Sequence, residues 1–148
     1  MRKGLIVGAI GLALAGALVG GVAIAQATDP IAARKDNRKQ AGGQMKAIKG
    51  AIDAKGPASA VVPAAAKLKE LSAAHAGLYP AGSDKGETKA LPNIWTDKAG
   101  FTAAVKAESD AIDALQAAAG TGDMEKVGAA FGAVGKSCGG CHEKFRAK

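Results

Sequence analysis

Cys138-Gly139-Gly140-Cys141-His142 puts two thiols and an imidazole into five consecutive residues near the end of a 148-residue chain. This Cys-x-x-Cys-His order is the attachment signature of a c-type haem: both thiols add to the haem vinyl groups, and the adjoining imidazole reaches the iron from the same side. On a helix, positions i, i+3 and i+4 share one face, so Cys138, Cys141 and His142 converge. Gly139 and Gly140 leave room for the macrocycle to lie against the backbone. Two other uses of a Cys-x-x-Cys pair fit less well. A thioredoxin-like redox pair wants a strand-turn-helix setting, and a structural zinc site lacks a fourth ligand nearby. The expected cofactor is one covalent haem c, with His142 as its proximal iron ligand.

Other residues bear on that site. Arg34 and Arg38 fall on the apolar stripe of a helical pattern, and a buried arginine needs an anion, for which haem propionates are the candidates. The alternative is that both snorkel to water from a frayed first turn. His75 and Tyr79 close a second helical pattern, where a lone histidine on an apolar face is more often a hydrogen-bonded core residue than a sixth iron ligand. Methionine is the usual sixth ligand of an electron-carrying c-type haem. Met124 lies roughly 27 Å of helix before His142 and is out of reach, and Met45, roughly 10 Å beyond Arg38, reads as core packing.

Four amphipathic segments must position these groups. Met124, Val127, Phe131, Val134, Cys138, Cys141 and Phe145 recur at alternating spacings of three and four, the stripe of a helix with one buried face. Phe101, Val105, Glu108, Ile112, Leu115 and Ala119 repeat it, with Gly120-Thr121-Gly122 as the turn between and Asp123 as N-cap of the last helix. Val61, Ala64, Leu68, Leu71, His75 and Leu78 form another stripe, followed by a long loop holding Pro80, Gly82, Gly86 and Pro92, in which nothing reads as a strand. Ile31, Arg34, Arg38, Ala41, Met45, Ile48 and Ile52 make the first, ending near Gly56-Pro57. Four such helices bury their stripes most simply as an antiparallel up-down-up-down four-helix bundle, an all-α fold with the covalent haem at one end.

Residues 1–27 read as an address: Arg2 and Lys3, an uncharged stretch from Gly4 to Ala25, and an Ala25-x-Ala27 site before Thr28. The expectation is a cleaved signal peptide, a single domain over residues 28–148, and a periplasmic mature chain. A retained membrane anchor is the rival, its run long enough to span but diluted by glycine and alanine. After cleavage no membrane contact is expected. Hydrophobic residues make up 48% of the chain and aromatics only 3%, so the core is alanine-rich and small unless a cofactor fills it. The net charge of +7 falls by two when Arg2 and Lys3 are removed and stays basic. With one Trp and one Tyr there is no stacking platform for nucleic acid; acidic redox partners are the expectation.

The sequence CGGCHEKFR at the extreme C-terminus, on the last of four helices, resembles the class II c-type cytochromes, cytochrome c′ and its low-spin relatives. The likeness runs over nearly the whole mature chain, including LYPAGSDKGETKALPNIWTDKAGF. It implies His142 as proximal ligand, Arg146 beside its imidazole, Arg34 near the propionates, Trp95 as an aromatic packed by the haem, and a homodimer built on the first two helices. It also implies that the residue four after Arg34 is the distal one. A methionine there makes a six-coordinate electron carrier, and an apolar residue leaves the iron open to nitric oxide or carbon monoxide. Here that residue is Arg38, which stays protonated and is no ordinary ligand, so the expectation is a vacant distal side with a cation nearby.

Electron transfer is the leading functional class, with binding of nitric oxide or carbon monoxide as the alternative. An enzyme such as a weak peroxidase ranks last, because the sequence shows no distal general base.

Overall fold

The computed structural model describes residues 29–148; the leader expected over residues 1–27 lies outside them. Five helices follow in order: α1 (Pro30–Asp53), α2 (Val62–His75), α3 (Asn93–Thr96), α4 (Lys98–Gly120) and α5 (Met124–Phe145). Single 3-10 turns flank α2, at Ala58–Val61 and Ala76–Leu78. Four of the five are the long helices expected from the spacing.

The ends of these helices are set by local chemistry. Asp29 accepts a hydrogen bond from Ile31 N, with Pro30 in the first turn where no amide donor is needed. Asp97 accepts from Gly100 N, and a side chain at Gly100 would run into the Asp97 carboxylate. Asp123 accepts from Glu125 N and Lys126 N, as the sequence led us to expect. Between α4 and α5 the chain turns through Gly122 at φ +78°, a left-handed conformation that glycine adopts without a Cβ penalty.

Helix α1 packs on α2, α2 on α4, α4 on α5, and α5 closes back on α1. This ring of sequential neighbours is the antiparallel four-helix bundle. Its main core joins Ile48, Val61, Leu68, Ile112, Leu115, Val127 and Val134, with small alanines between. A second, aromatic cluster of Ile94, Phe101 and Phe145, flanked by Tyr79 and Trp95, sits at the other end.

The long loop does more than connect. Leu91 N donates to Phe145 O at 3.0 Å, Ala147 N to Lys89 O at 2.8 Å, and Asn93 Nδ2 to Lys144 O at 2.7 Å. Ala90 and Arg146 form an isolated β-bridge. The loop is thus strapped across the end of α5 that carries the cysteines.

Candidate haem site

A cavity of about 910 Å³ opens at that end, within the roughly 300–1,000 Å³ of ligand pockets. Cys138, Cys141 and His142 line it together with Arg34, Arg38, His75, Glu108 and Arg146. Both cysteines are free and half-buried, and burial, with the Glu108 carboxylate second, pushes both thiols above their ordinary pKa. His142 stands at the edge, exposed on one side. Desolvation on its other side, then the Arg146 and Arg38 charges, hold its pKa below the usual value, which favours the neutral imidazole a metal requires. A Cβ at Gly139 or Gly140 would meet nothing within 4 Å, so the space over that turn of α5 is open.

Arg34 is buried, so it does not snorkel to water, and it lines the cavity. Its guanidinium donates to Ser83 Oγ (3.1 Å), Ser83 O (2.7 Å) and Thr88 Oγ1 (2.9 Å) and lies over the Tyr79 and Trp95 rings at 5.1 and 5.8 Å. Neutral acceptors and π faces offset its desolvation. Arg38 does face the cavity, but as one half of an ion pair: Nη1 to Glu108 Oε1, 2.8 Å, with the Glu108 side chain 5% exposed and that of Arg38 27%. Nε and Nη2 donate to Asn37 Oδ1 at 2.9 and 2.7 Å.

His75 is the buried, hydrogen-bonded histidine expected. Nε2 lies 3.0 Å from Tyr79 OH, Nδ1 lies 3.8 Å from Glu108 Oε2, and Tyr79 and Phe101 meet its ring edge-on. Burial, then the Arg38 charge, lowers its pKa from 6.5 to about 3. Glu108 and His75 both line the cavity. Glu108 stands in the sequence as the one acid on the apolar stripe of the third helix. Met45 packs against the core and also lines the cavity, which core packing alone did not predict. Trp95 stands a layer behind, in the aromatic cluster, donating Nε1–H to Pro80 O at 3.0 Å.

The residues present fit a haem. Two thiols at i and i+3 meet one apolar hollow walled by Leu68, Ile94, Phe101 and Phe145, with the cations Lys35, Lys89 and Arg146 also on its lining. A thioether-held haem on the last helix of an antiparallel bundle defines the bundle class of c-type cytochromes. The chain belongs to the cytochrome c′ family, whose description matches residues 29–146, and that family carries covalently attached haem c. It is similar to cytochrome c′ of Rubrivivax gelatinosus, 48% identical over 68 residues, a match spanning 45% of this chain and about half of that protein (53%). To cytochrome c′ of Rhodopseudomonas palustris it is 38% identical over 137 residues, 86% of this chain and 88% of the relative. A solved variant of cytochrome c′ from Alcaligenes xylosoxidans with carbon monoxide bound superposes with a TM-score of 0.75 at 32% identity, over 82% of this chain and 98% of that one.

Proposed function

We propose that the mature chain is a periplasmic electron-transfer protein that holds one haem through Cys138 and Cys141 with His142 as proximal iron ligand. The observation that carries this reading is the cavity where those three side chains meet an apolar wall and a cationic rim. A haem bound there supplies a one-electron iron couple tuned by its ligands and by the surrounding dielectric. The chain's own residues do the rest. Arg34 pins the loop over the site, Phe101, Ile94 and Phe145 exclude water, and Lys35, Lys89 and Arg146 offer a positive rim to an acidic redox partner. A reversible redox titration of the holoprotein tests the reading. A one-electron Nernst curve supports it; a haem that cannot be cycled contradicts it.

A second reading, binding of nitric oxide or carbon monoxide, is favoured by one observation: the residue four after Arg34 is Arg38, a cation that cannot ligate iron and is held by Glu108. The carbon monoxide bound to the Alcaligenes relative supports it. A homodimer through α1 and α2 would use the face of the shallow groove there, which mixes Ala33, Ala74 and Leu78 with Asp36, Asn37 and Gln40; sedimentation of the holoprotein checks it.

A further inference from the structure

Neither haem attachment nor electron transfer needs Arg38, yet its guanidinium is fixed on the cavity lining by several bonds. Asn37 Oδ1 accepts from both Nε (2.9 Å) and Nη2 (2.7 Å), Leu71 O from Nη2 at 3.4 Å, and Glu108 Oε1 from Nη1 at 2.8 Å. Asn37 is itself buried and tied to α2, its Nδ2 donating to Leu71 O at 3.0 Å. Arginine carries five N–H donors, so one Nη1 N–H has no acceptor among the described residues. A planar fork clamped along its Nε and Nη2 edge by a buried amide has little freedom left, and the unused N–H keeps a fixed direction.

A haem attached to α5 with His142 on its iron keeps one face against that helix and leaves the other to the remaining walls. To those walls α1 contributes Arg38, Ala41, Gly42 and Met45, of which Arg38 is the one side chain able to donate a hydrogen bond. The other polar groups nearby are engaged elsewhere: Arg34 by Ser83 and Thr88, and His75 Nε2 by Tyr79 OH. Lys35 is exposed at the rim. We propose that Arg38, positioned by Asn37, is a specificity-determining residue that donates its free Nη1 N–H to the outer atom of a diatomic ligand on the iron. Such a donor favours ligands that gather negative charge on that atom, and a charged donor in a water-poor cavity makes the stronger bond. No uncompensated charge enters with the ligand, because the charge of ferrous iron is matched by that of its porphyrin ring and the gas carries none.

This role rests on the gas-binding reading, and infrared spectroscopy of carbon monoxide on the ferrous holoprotein tests it. A positive donor at the oxygen end draws electron density from the iron into the ligand's antibonding orbital and lowers the C–O stretch. R38L/E108L removes the donor and its partner together, so no carboxylate is left unpaired in the cavity, and its C–O band is expected at higher wavenumber than the parent's. N37L keeps Arg38 and Glu108 but frees the clamped edge; its band is expected to broaden and to move part of the way towards that of R38L/E108L. In competition between the two gases, the preference for nitric oxide over carbon monoxide is expected to fall about tenfold in R38L/E108L, the size of one charge-assisted hydrogen bond. A C–O band that stays in place or moves to lower wavenumber in R38L/E108L, an N37L band identical with the parent's, or an unchanged preference overturns the proposal while leaving gas binding intact. A ferrous haem that takes up no carbon monoxide overturns the gas-binding reading itself.

Discussion

Replacing Glu108 with leucine removes the carboxylate from a pair whose acid is 5% exposed and whose base is 27% exposed. Deleting one partner of a buried pair costs about 3–5 kcal/mol, because the other charge is left without compensation. Arg38 keeps an exposed edge through which it rehydrates, which places the expected loss near the lower bound, about 3 kcal/mol. With a urea slope of about 2 kcal/mol/M, the unfolding midpoint of the holoprotein falls by about 1.5 M. The double variant R38L/E108L behaves differently: the desolvation of both charges disappears with the pair, and what remains is the loss of the donors to Asn37 Oδ1 and Leu71 O, about 1 kcal/mol. It is therefore expected to be more stable than E108L alone and within about 2 kcal/mol of the parent, with a coupling energy of about 2 kcal/mol or more. Urea unfolding followed by far-ultraviolet circular dichroism reads all four corners of the cycle. A loss below about 0.5 kcal/mol in E108L, or a double variant less stable than the single, would refute the reasoning.

The depressed pKa of His75 means that between pH 6.5 and about 3 the unfolded chain binds a proton that the native one does not. Stability is thus full above pH 6.5 and falls with acidification through that window, by up to about 1.4 kcal/mol per pH unit from this group; His75→Gln is expected to flatten the curve, and an unchanged acid limb would contradict the assignment. Arg34→Leu strands buried acceptors on Ser83 and Thr88 at a cost of about 2–3 kcal/mol and frees the loop, so trypsin should cut at Lys85 and Lys89 faster than in the parent. Cys138→Ser with Cys141→Ser is expected to yield protein whose haem, if bound, is extracted by acidified acetone, whereas the parent retains it.

The four bundle helices were legible because each shows one apolar stripe at a regular spacing, and so was the end where chemistry collects, because the attachment motif and the helix order fix it. What the sequence did not disclose depends on rotation between helices and on loop conformation. Glu108, Arg38 and His75 lie on three different helices, and which charged positions meet is decided by how those helices pack on one another rather than by any local pattern. Arg34 finds Ser83 and Thr88 only because the loop folds back over α1, with Gly86 at φ +117° where a Cβ would come within 3.0 Å of Ile31 Cδ1. The same fold-back accounts for the Ala90–Arg146 bridge and for Trp95, which turns to Pro80 rather than to the cavity wall.

The state of the distal side is the point on which the account turns, and the visible spectrum of the dithionite-reduced holoprotein, taken before and after carbon monoxide, tests it most directly. With Arg38 bound to Glu108 and His75 Nε2 engaged by Tyr79, the account predicts broad high-spin bands that sharpen and shift when the gas is added. Sharp six-coordinate bands unmoved by the gas would contradict the open distal side and would point to Met45 or His75 as the iron's sixth ligand.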